Sequence, residues 1–512
     1  MNTSIRACAV AFLLVSGVYA QTSRGTVTGL ITDQTASVVA NAAVELKNAT
    51  TGVSRTTQTN GAGLYRFDAA DPGDYNVTVT VSGFKAARTN LFTVAAAQVA
   101  SVDVKLEVGS QTSVVEVTAE AVALQVDSPV RSSTISNRQI DELPVASRNA
   151  VSLALTVPGV STSRFGVGGG GSFSVNGARN RSNNFLIDGT ENNDISVAGQ
   201  AFQITLPDLV QEASVQTSNF DAEFGRAGGA VVNVITRSGS NAFHGTASWL
   251  LDVTNDDAIT NTQALDPDVI KRGRPAPGNE NIYAATFGGP LRRNKTFFFG
   301  GFQDDRQRSS GTVTAAAPSA AGYAILNSQF PSGSNQRVDI YRQVLAGTTA
   351  TTQFSNIALG SGRPDVQFGT ATIGYANFVE DRLYSAKVDH NFSDRDLMSA
   401  RYSQQYKPNL PASLSYPGLN TSQFGIYKNI VASETHTFSP SLTNELRLGY
   451  NRIDLSFPVD TINPLGKTLL NYSIAGLPAA NVTQLGVATN LPQGRVANNY
   501  TVQDTEIGRA HV

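Results

Sequence analysis

Cysteine is all but missing from this 512-residue chain: the single residue, Cys8, lies in an apolar stretch at the N-terminus. Read from Gln21 onward, the chain has no thiol, which excludes disulfides and thiolate metal sites. Charge is sparse too, at 15% of residues with a formal net charge of -2, so there is no basic field to attract nucleic acid. The four histidines, His244, His390, His436 and His511, stand far apart without a His-Glu-x-x-His spacing, and Gly-x-Ser-x-Gly has no strand-turn-helix setting. We therefore expect no catalytic residues, no cofactor and no enzyme. Long hydrophobic runs are also lacking. Past the N-terminus nothing approaches the roughly 20 apolar residues of a membrane helix, so strands are the only means by which this chain can cross a bilayer.

The 45 glycines, 15 tyrosines and 24 phenylalanines, against one tryptophan and two methionines, suit strands and turns in an exported protein. The N-terminus reads as a signal for export. Arg6 precedes the apolar run Ala7 to Val15, and Val18-Tyr19-Ala20 supplies small residues at the cleavage-determining positions, so residues 1–20 are expected to be removed. Residues 21–110 read as a small antiparallel β-sandwich. Its strand-like runs are Thr26 to Thr32, Ala42 to Leu46, Leu64 to Phe67 and Tyr75 to Val81, with turns at Asn60-Gly61 and Asp71-Pro72-Gly73-Asp74.

Residues 111–120 form a β-prone bridge, and residues 121–240 carry an ordered series of motifs. Asp141-Glu142-Leu143-Pro144 leads to Arg148-Asn149. A helix stripe of Val151, Ala154 and Leu155 is then ended by Pro158. The Gly-rich stretch Gly166 to Gly171 lacks the Lys-Ser/Thr ending of a phosphate cradle. Phe185-Leu186-Ile187-Asp188-Gly189 opens an acidic stretch to Asp194 that includes Glu191; without calcium-loop spacing it is expected to be solvated. Val231 to Thr236 has the β-branched character of a buried strand, and the preceding glycine pair permits close backbone approach. Asp221, Glu223, Arg226 and Arg237 would be costly against lipid, but can pair with charges inside a barrel lumen.

From residue 241 to 505 strand-length segments alternate. Leu446, Leu448 and Tyr450 oppose Glu445, Arg447 and Asn451; Tyr384, Ala386, Val388 and Phe392 oppose Ser385, Lys387 and Asp389; Met398, Ala400 and Tyr402 oppose Ser399, Arg401 and Ser403. Apolar-out, polar-in strands are what a membrane barrel needs. Tight turns are expected at Leu291 to Lys295, Ser393 to Asp396 and Ser439 to Leu442, and long loops at about 253–280, 308–380 and 453–497. Phe297-Phe298-Phe299 is expected in an interfacial girdle.

These pieces carry a resemblance. Gly29-Leu30-Ile31-Thr32-Asp33, Asn60 to Tyr65 and Pro72-Gly73-Asp74-Tyr75 resemble the carboxypeptidase regulatory-like domain, a family with a transthyretin-like β-sandwich that is grouped with carbohydrate-binding folds. The series from Asp141 to Gly239, with Asn219, Phe220, Asp221, Glu223, Gly225 and Arg226 as its core motif, resembles the plug of Oar-like TonB-dependent outer-membrane receptors. Asn241 to Gly245, Phe287 to Pro290 and Asn294 to Phe299 resemble the opening barrel hairpins of that family.

The resemblance implies a mainly β chain: the sandwich, an α+β plug domain, then the first strands of an incomplete transmembrane antiparallel β-barrel. It implies outer-membrane lipid, a small solute or glycan ligand, and TonB with its inner-membrane motor complex as partners. In that reading Val114, Val115, Glu116, Val117 and Thr118 are a TonB-box candidate; equally, the segment is the sandwich's last strand entering a linker. Active transport driven through the plug is the implied function. An adhesion or envelope-organising role without transport, with carbohydrate binding, is the alternative. The count of about seven or eight strands falls short of the ~22 of a plugged transporter. Glu506 to Val512 reads like a translated sequencing adaptor, so residues 506–512 are expected to be non-native and the chain a fragment that cannot close around its plug.

Overall fold

The computed structural model describes residues 24–508 apart from 110–113, 118–129, 144–147, 163–172, 197–198, 221–223, 225–226, 255–256, 260–263, 265–266, 346, 361, 414, 417–418, 440–441, 460–471, 474–475 and 486–489. Three bodies follow in chain order.

The first is a two-sheet sandwich. Its strands are β1 (Gly25–Thr32), β2 (Ala43–Asn48), β3 (Ser54–Gln58), β4 (Leu64–Ala70), β5 (Gly73–Thr80), β6 (Ala86–Thr89), β7 (Phe92–Val94), β8 (Val99–Ser101), β9 (Val104–Lys105) and β10 (Val114–Val117). One sheet runs β4-β1-β8 with β9 beside β1; the other runs β10-β6-β5-β2-β3 with β7 beside β5. Period-two alternation turns Val27, Ile31, Tyr65 and Phe67 inward against Val44, Leu46, Val77, Val79 and Phe92. Asn60 closes its turn by accepting from the Ala62 and Leu64 amides at 3.0 Å each, which is why asparagine stands there.

The plug follows with β11 (Arg131–Ser136), β12 (Val160–Thr162), β13 (Phe173–Val175), β14 (Asn184–Ile187), β15 (Thr190–Glu191), β16 (Val210–Ser218) and β17 (Val231–Thr236). Its mixed sheet has the order β11-β16-β17-β14-β15, so the β-branched run β17 lies in the middle, every residue buried. Two short helical segments pack on it. Asn137–Glu142 is capped by Ser136 in a reciprocal box with Gln139. Ala150–Thr156 is a 3-10 helix rather than the expected α-helix. At three residues per turn Val151 and Ala154 share the buried face, while Leu155 turns out and is exposed, against expectation.

The third body is a wall of antiparallel strands: β18 (His244–Val253), β19 (Gly278–Arg292), β20 (Thr296–Pro318), β21 (Thr352–Ile357), β22 (Val366–Ser393), β23 (Asp396–Ser413), β24 (Thr421–Ser439), β25 (Leu442–Phe457), β26 (Tyr472–Ser473), β27 (Gln484–Leu485) and β28 (Gln493–Gly508). The order β18-β19-β20-β22-β23-β24-β25-β28 follows the chain, with β21 paired to β22, and the sheet is open, β18 and β28 forming its edges. The three expected tight turns are present, as is the connection after Val253. The expected 308–380 loop is much shorter, because β20 runs on to Pro318 and β22 starts at Val366. Strands of 23 and 28 residues far exceed the ~10 that cross a bilayer, so this hairpin projects well beyond it. Helices Ala320–Gln329 and Gln336–Val344 cap its tip, where Ala315, Leu345, Tyr416, Leu419 and Val482 form a small core. Glu506 to Gly508, expected in the non-native tail, continue the β25–β28 ladder: Leu442 pairs with Gly508.

Burial in the wall is inverted relative to the sandwich. Many of the covered side chains are polar: Gln303, Arg401, Ser403, Gln405, Asn429, Glu445, Arg447 and Asn451. The exposed ones are apolar: Tyr384, Val388, Met398, Tyr402, Ile430, Leu446 and Leu448. A soluble sandwich would place these the other way round; a lipid-facing wall places them this way. No helix among the described residues is long and apolar enough to cross a membrane.

Candidate functional site between the plug and the barrel wall

The plug sits against the polar face of the wall. Its seat begins with a two-residue hairpin. Ile187 pairs with Thr190 across Asp188-Gly189, and both central residues have positive φ, 48° and 76°. Asp-Gly is the natural occupant of such a turn. The turn carries Asp188 to the wall, where its Oδ2 accepts from Arg401 Nε at 2.6 Å and its Oδ1 from the Thr236 amide at 2.8 Å. Arg401 in turn donates to Ser403 Oγ at 2.7 Å and Asn429 Oδ1 at 2.6 Å, and Lys387 Nζ donates to the Thr236 carbonyl at 3.1 Å. Burial alone would raise the Asp188 carboxyl. The nearby Lys387 and Arg401 charges and the Thr236 amide outweigh it and hold the group well below the usual carboxylate range.

Further contacts spread around this point. Arg447 reaches the Gly189 carbonyl at 3.4 Å and pairs with Glu445 at 2.7 Å. Asp381 accepts from Gln405 at 2.8 Å and lies beside the plug's Thr205, to which Gln303 donates at 2.9 Å. Asp194 pairs with Arg495 on β28, and Asp208 accepts from Thr246 Oγ1 at 2.6 Å on β18. The acidic stretch 188–194 is therefore docked and not solvated, contrary to the sequence reading. Two of its acids face arginines on separate wall strands, Asp188 with Arg401 on β23 and Asp194 with Arg495 on β28, a match visible only once the sheet order is known. Apolar packing completes the seat, with Ala284, Phe299 and Leu383 of the wall joining the plug core around Leu206 and Leu209.

Other expected residues fall differently. Arg237 does not reach the wall; it pairs with Asp141 at 3.4 Å and donates to the Val210 carbonyl at 3.1 Å, both within the plug. Phe297 and Phe299 turn inward, because consecutive strand residues alternate, and only Phe298 stays on the girdle side against Phe287. In the plug motif, Phe220 packs on a cluster of Leu186, Phe224 and Val231, and Asn219 follows β16 with φ 55°. Asp221, Glu223, Gly225 and Arg226 lie outside the described residues, as do the Gly166 to Gly171 stretch and Thr118. Val114, Val115, Glu116 and Val117 form β10, paired in parallel with Ala86 to Thr89 at the edge of a sandwich sheet.

The sandwich lies at the tight-turn rim of the wall. Asn241 at the start of the wall donates to Asn294 Oδ1 at 2.6 Å and also to the Thr51 carbonyl of the sandwich. Arg24 donates to Thr435 and Ser433 at 3.3 and 3.2 Å, and Arg55 to Thr437 at 3.4 Å. Short turns mark the periplasmic side of an outer-membrane barrel, so the sandwich is on the side facing the cell interior.

Family models match the three bodies in the same order. Residues 235–506, just over half of the chain, match the Outer membrane beta barrel domain; residues 26–107 match the Carboxypeptidase regulatory-like domain, and residues 125–232 the TonB-dependent Receptor Plug Domain. The chain is 28% identical over 320 residues to the TonB-dependent transporter Oar of Myxococcus xanthus, which covers 60% of this chain and 29% of that protein. Among solved structures it is similar to the outer membrane transporter YddB from Escherichia coli (TM-score 0.46, 13% identity, 73% of this chain and 45% of that one). It is also similar to a ferric enterobactin receptor mutant from Pseudomonas aeruginosa (TM-score 0.41, 12% identity, 73% and 46%). With sandwich, plug and barrel wall in that order and each matched to its own domain family, the chain belongs to the Oar-like TonB-dependent outer-membrane receptors.

Proposed function

We propose that this chain is the plug-bearing part of an importer that moves a scarce, bulky solute across the outer membrane, with force applied through TonB. The observation that carries this reading is the seat itself. A plug fixed by ion pairs to the polar face of a lipid-facing wall obstructs passage until something moves it. Energy reaches such a plug only from the periplasmic side, and the sandwich stands there. β10 is an edge strand, so its free side offers backbone groups to which a partner strand can add. That makes Val114 to Val117 the proposed grip for TonB and its motor complex, without requiring the strand to leave the sandwich.

The solute would be met at the opposite rim, on the capped tip of the β20–β22 hairpin. The sandwich stands at the other rim, so on this reading solute capture does not involve it. A glycan fragment or comparable nutrient is then a matter for the loops alone. The test is capture of the intact chain by the TonB periplasmic domain. Val115→Pro removes a ladder donor and is expected to weaken capture at least tenfold. Undiminished capture by that variant, or no capture of the unaltered chain, would remove the import reading and leave an envelope-organising one.

A further inference from the structure

The sandwich makes two kinds of contact that differ in character. Toward the barrel, beside hydrogen bonds from Arg24, Arg55 and Asn241, it is held by one ion-pair centre on a buried wall carboxylate. Arg24 Nε lies 3.3 Å from Asp71 of the sandwich and 3.4 Å from Glu445 of the wall, whose side chain is 2% exposed. Glu445 is shared with Arg447, which touches the plug at Gly189. Toward the plug the sandwich is held by hydrogen bonds to two neighbouring strands. The Ala96 amide donates to Glu212 of β16 at 2.5 Å, and Gln98 donates to Thr134 of β11 at 2.9 Å. A cavity of about 170 Å³ lies where the three bodies meet, lined among others by Arg55, Asp71, Gln211, Lys387 and Asp389.

We propose that the sandwich is a docked gate on the periplasmic mouth, latched to the barrel at Glu445 by Arg24 and fastened to the plug through β11 and β16. A pull on its edge strand β10 then opens the barrel latch first and draws the plug edge with it. Glu445 is the pivot. Losing Arg24 leaves it paired with Arg447, so the wall keeps its own charge balance while the sandwich is freed. The pull is attributed to TonB on the reading above; the latch stands on the contacts alone.

Spin-label distances in the intact chain in outer-membrane preparations test it. With Cys8, the chain's single cysteine, changed to serine, labels are attached at Ala62→Cys on the sandwich and either Arg293→Cys on the rim or Leu155→Cys on the plug; all three positions are exposed. The unaltered pairs should each give one narrow distance. Arg24→Gln, which leaves every wall residue in place, should cut the docked population of the sandwich–rim pair several-fold and leave the sandwich–plug pair narrow. Glu445→Gln should act in the same direction. A sandwich–rim distance that is broad at the outset, or unmoved by both substitutions, overturns the latch. Loss of both distances together overturns the fastening to the plug. TonB capture is not read by either pair, so failure of the import reading leaves a different signature.

Discussion

Asp188 is the residue on which the plug–wall contact turns. It is the only carboxylate touching Arg401 among the described contacts, and the Arg401 side chain is 1% exposed. Asp188→Asn would leave a buried guanidinium without its counter-charge, which typically costs about 3–5 kcal/mol. We expect hydrogen exchange in β17 to rise by at least a hundredfold in that variant while the sandwich strands keep their protection; unchanged protection in β17 would refute this. Glu212 gives a pH dependence of the opposite sign to most acids. Burial pushes its carboxyl up to about 7, against the pull of the Ala96 amide. An unfolded glutamate titrates near 4.3. Below about 4.3 both states are protonated and docking is at its strongest. As pH rises toward 7 the docked form keeps a proton that the free form has lost, so docking weakens, and above about 7 the weakening is complete. Glu212→Gln should flatten this change between pH 5 and pH 8 in the protection of the Ala96 amide. A pH response identical to that of the unaltered chain would contradict the assignment. In the sequence, Asp188 stands out only as the first acid of the stretch to Asp194; its partner lies 213 positions away, and no local signal joins the two.

Among elements, β20 shows what alternation alone predicts and where it stops. Its outward residues follow from the period of two, yet the three-phenylalanine run reads as one girdle only if that period is ignored. Gly301 is one position where the plug meets this strand. A Cβ there would stand 2.8 Å from Leu209 Cδ2 and 3.2 Å from Leu206 Cδ2. Those are flexible side-chain ends, so alanine is tolerable, but Gly301→Leu overfills the contact at about 1–3 kcal/mol. Protease cleavage of the plug should accelerate in Gly301→Leu with the wall strands still protected; equal acceleration in Gly301→Ala would assign the effect to strand damage instead. The 3-10 segment at Ala150 teaches the same lesson. Its apolar spacing fits either helix type, and the packing of Val151 and Ala154 under the plug sheet decides between them. Strand lengths were the least readable quantity, because polar residues above the membrane keep pairing long after the lipid-facing pattern has ended.

At the scale of the molecule, the order of sandwich, plug and wall was readable from turn chemistry, motif order and alternation. Where the sandwich sits was not, since its contacts to the wall join residues from 190 to 411 positions apart. The central claim is that the sheet from β18 to β28 is a membrane wall with its apolar face in lipid. The chain supplies its own probe. Its single tryptophan, Trp249, is 62% exposed and stacks on Tyr283 across the β18–β19 pair, on the face away from buried Ile282 and Ala284. In vesicles of brominated phospholipid its fluorescence should be blue-shifted and strongly quenched, while aqueous iodide should quench it weakly. Emission typical of indole in water, quenched by iodide and indifferent to bromine in the lipid, would contradict the account.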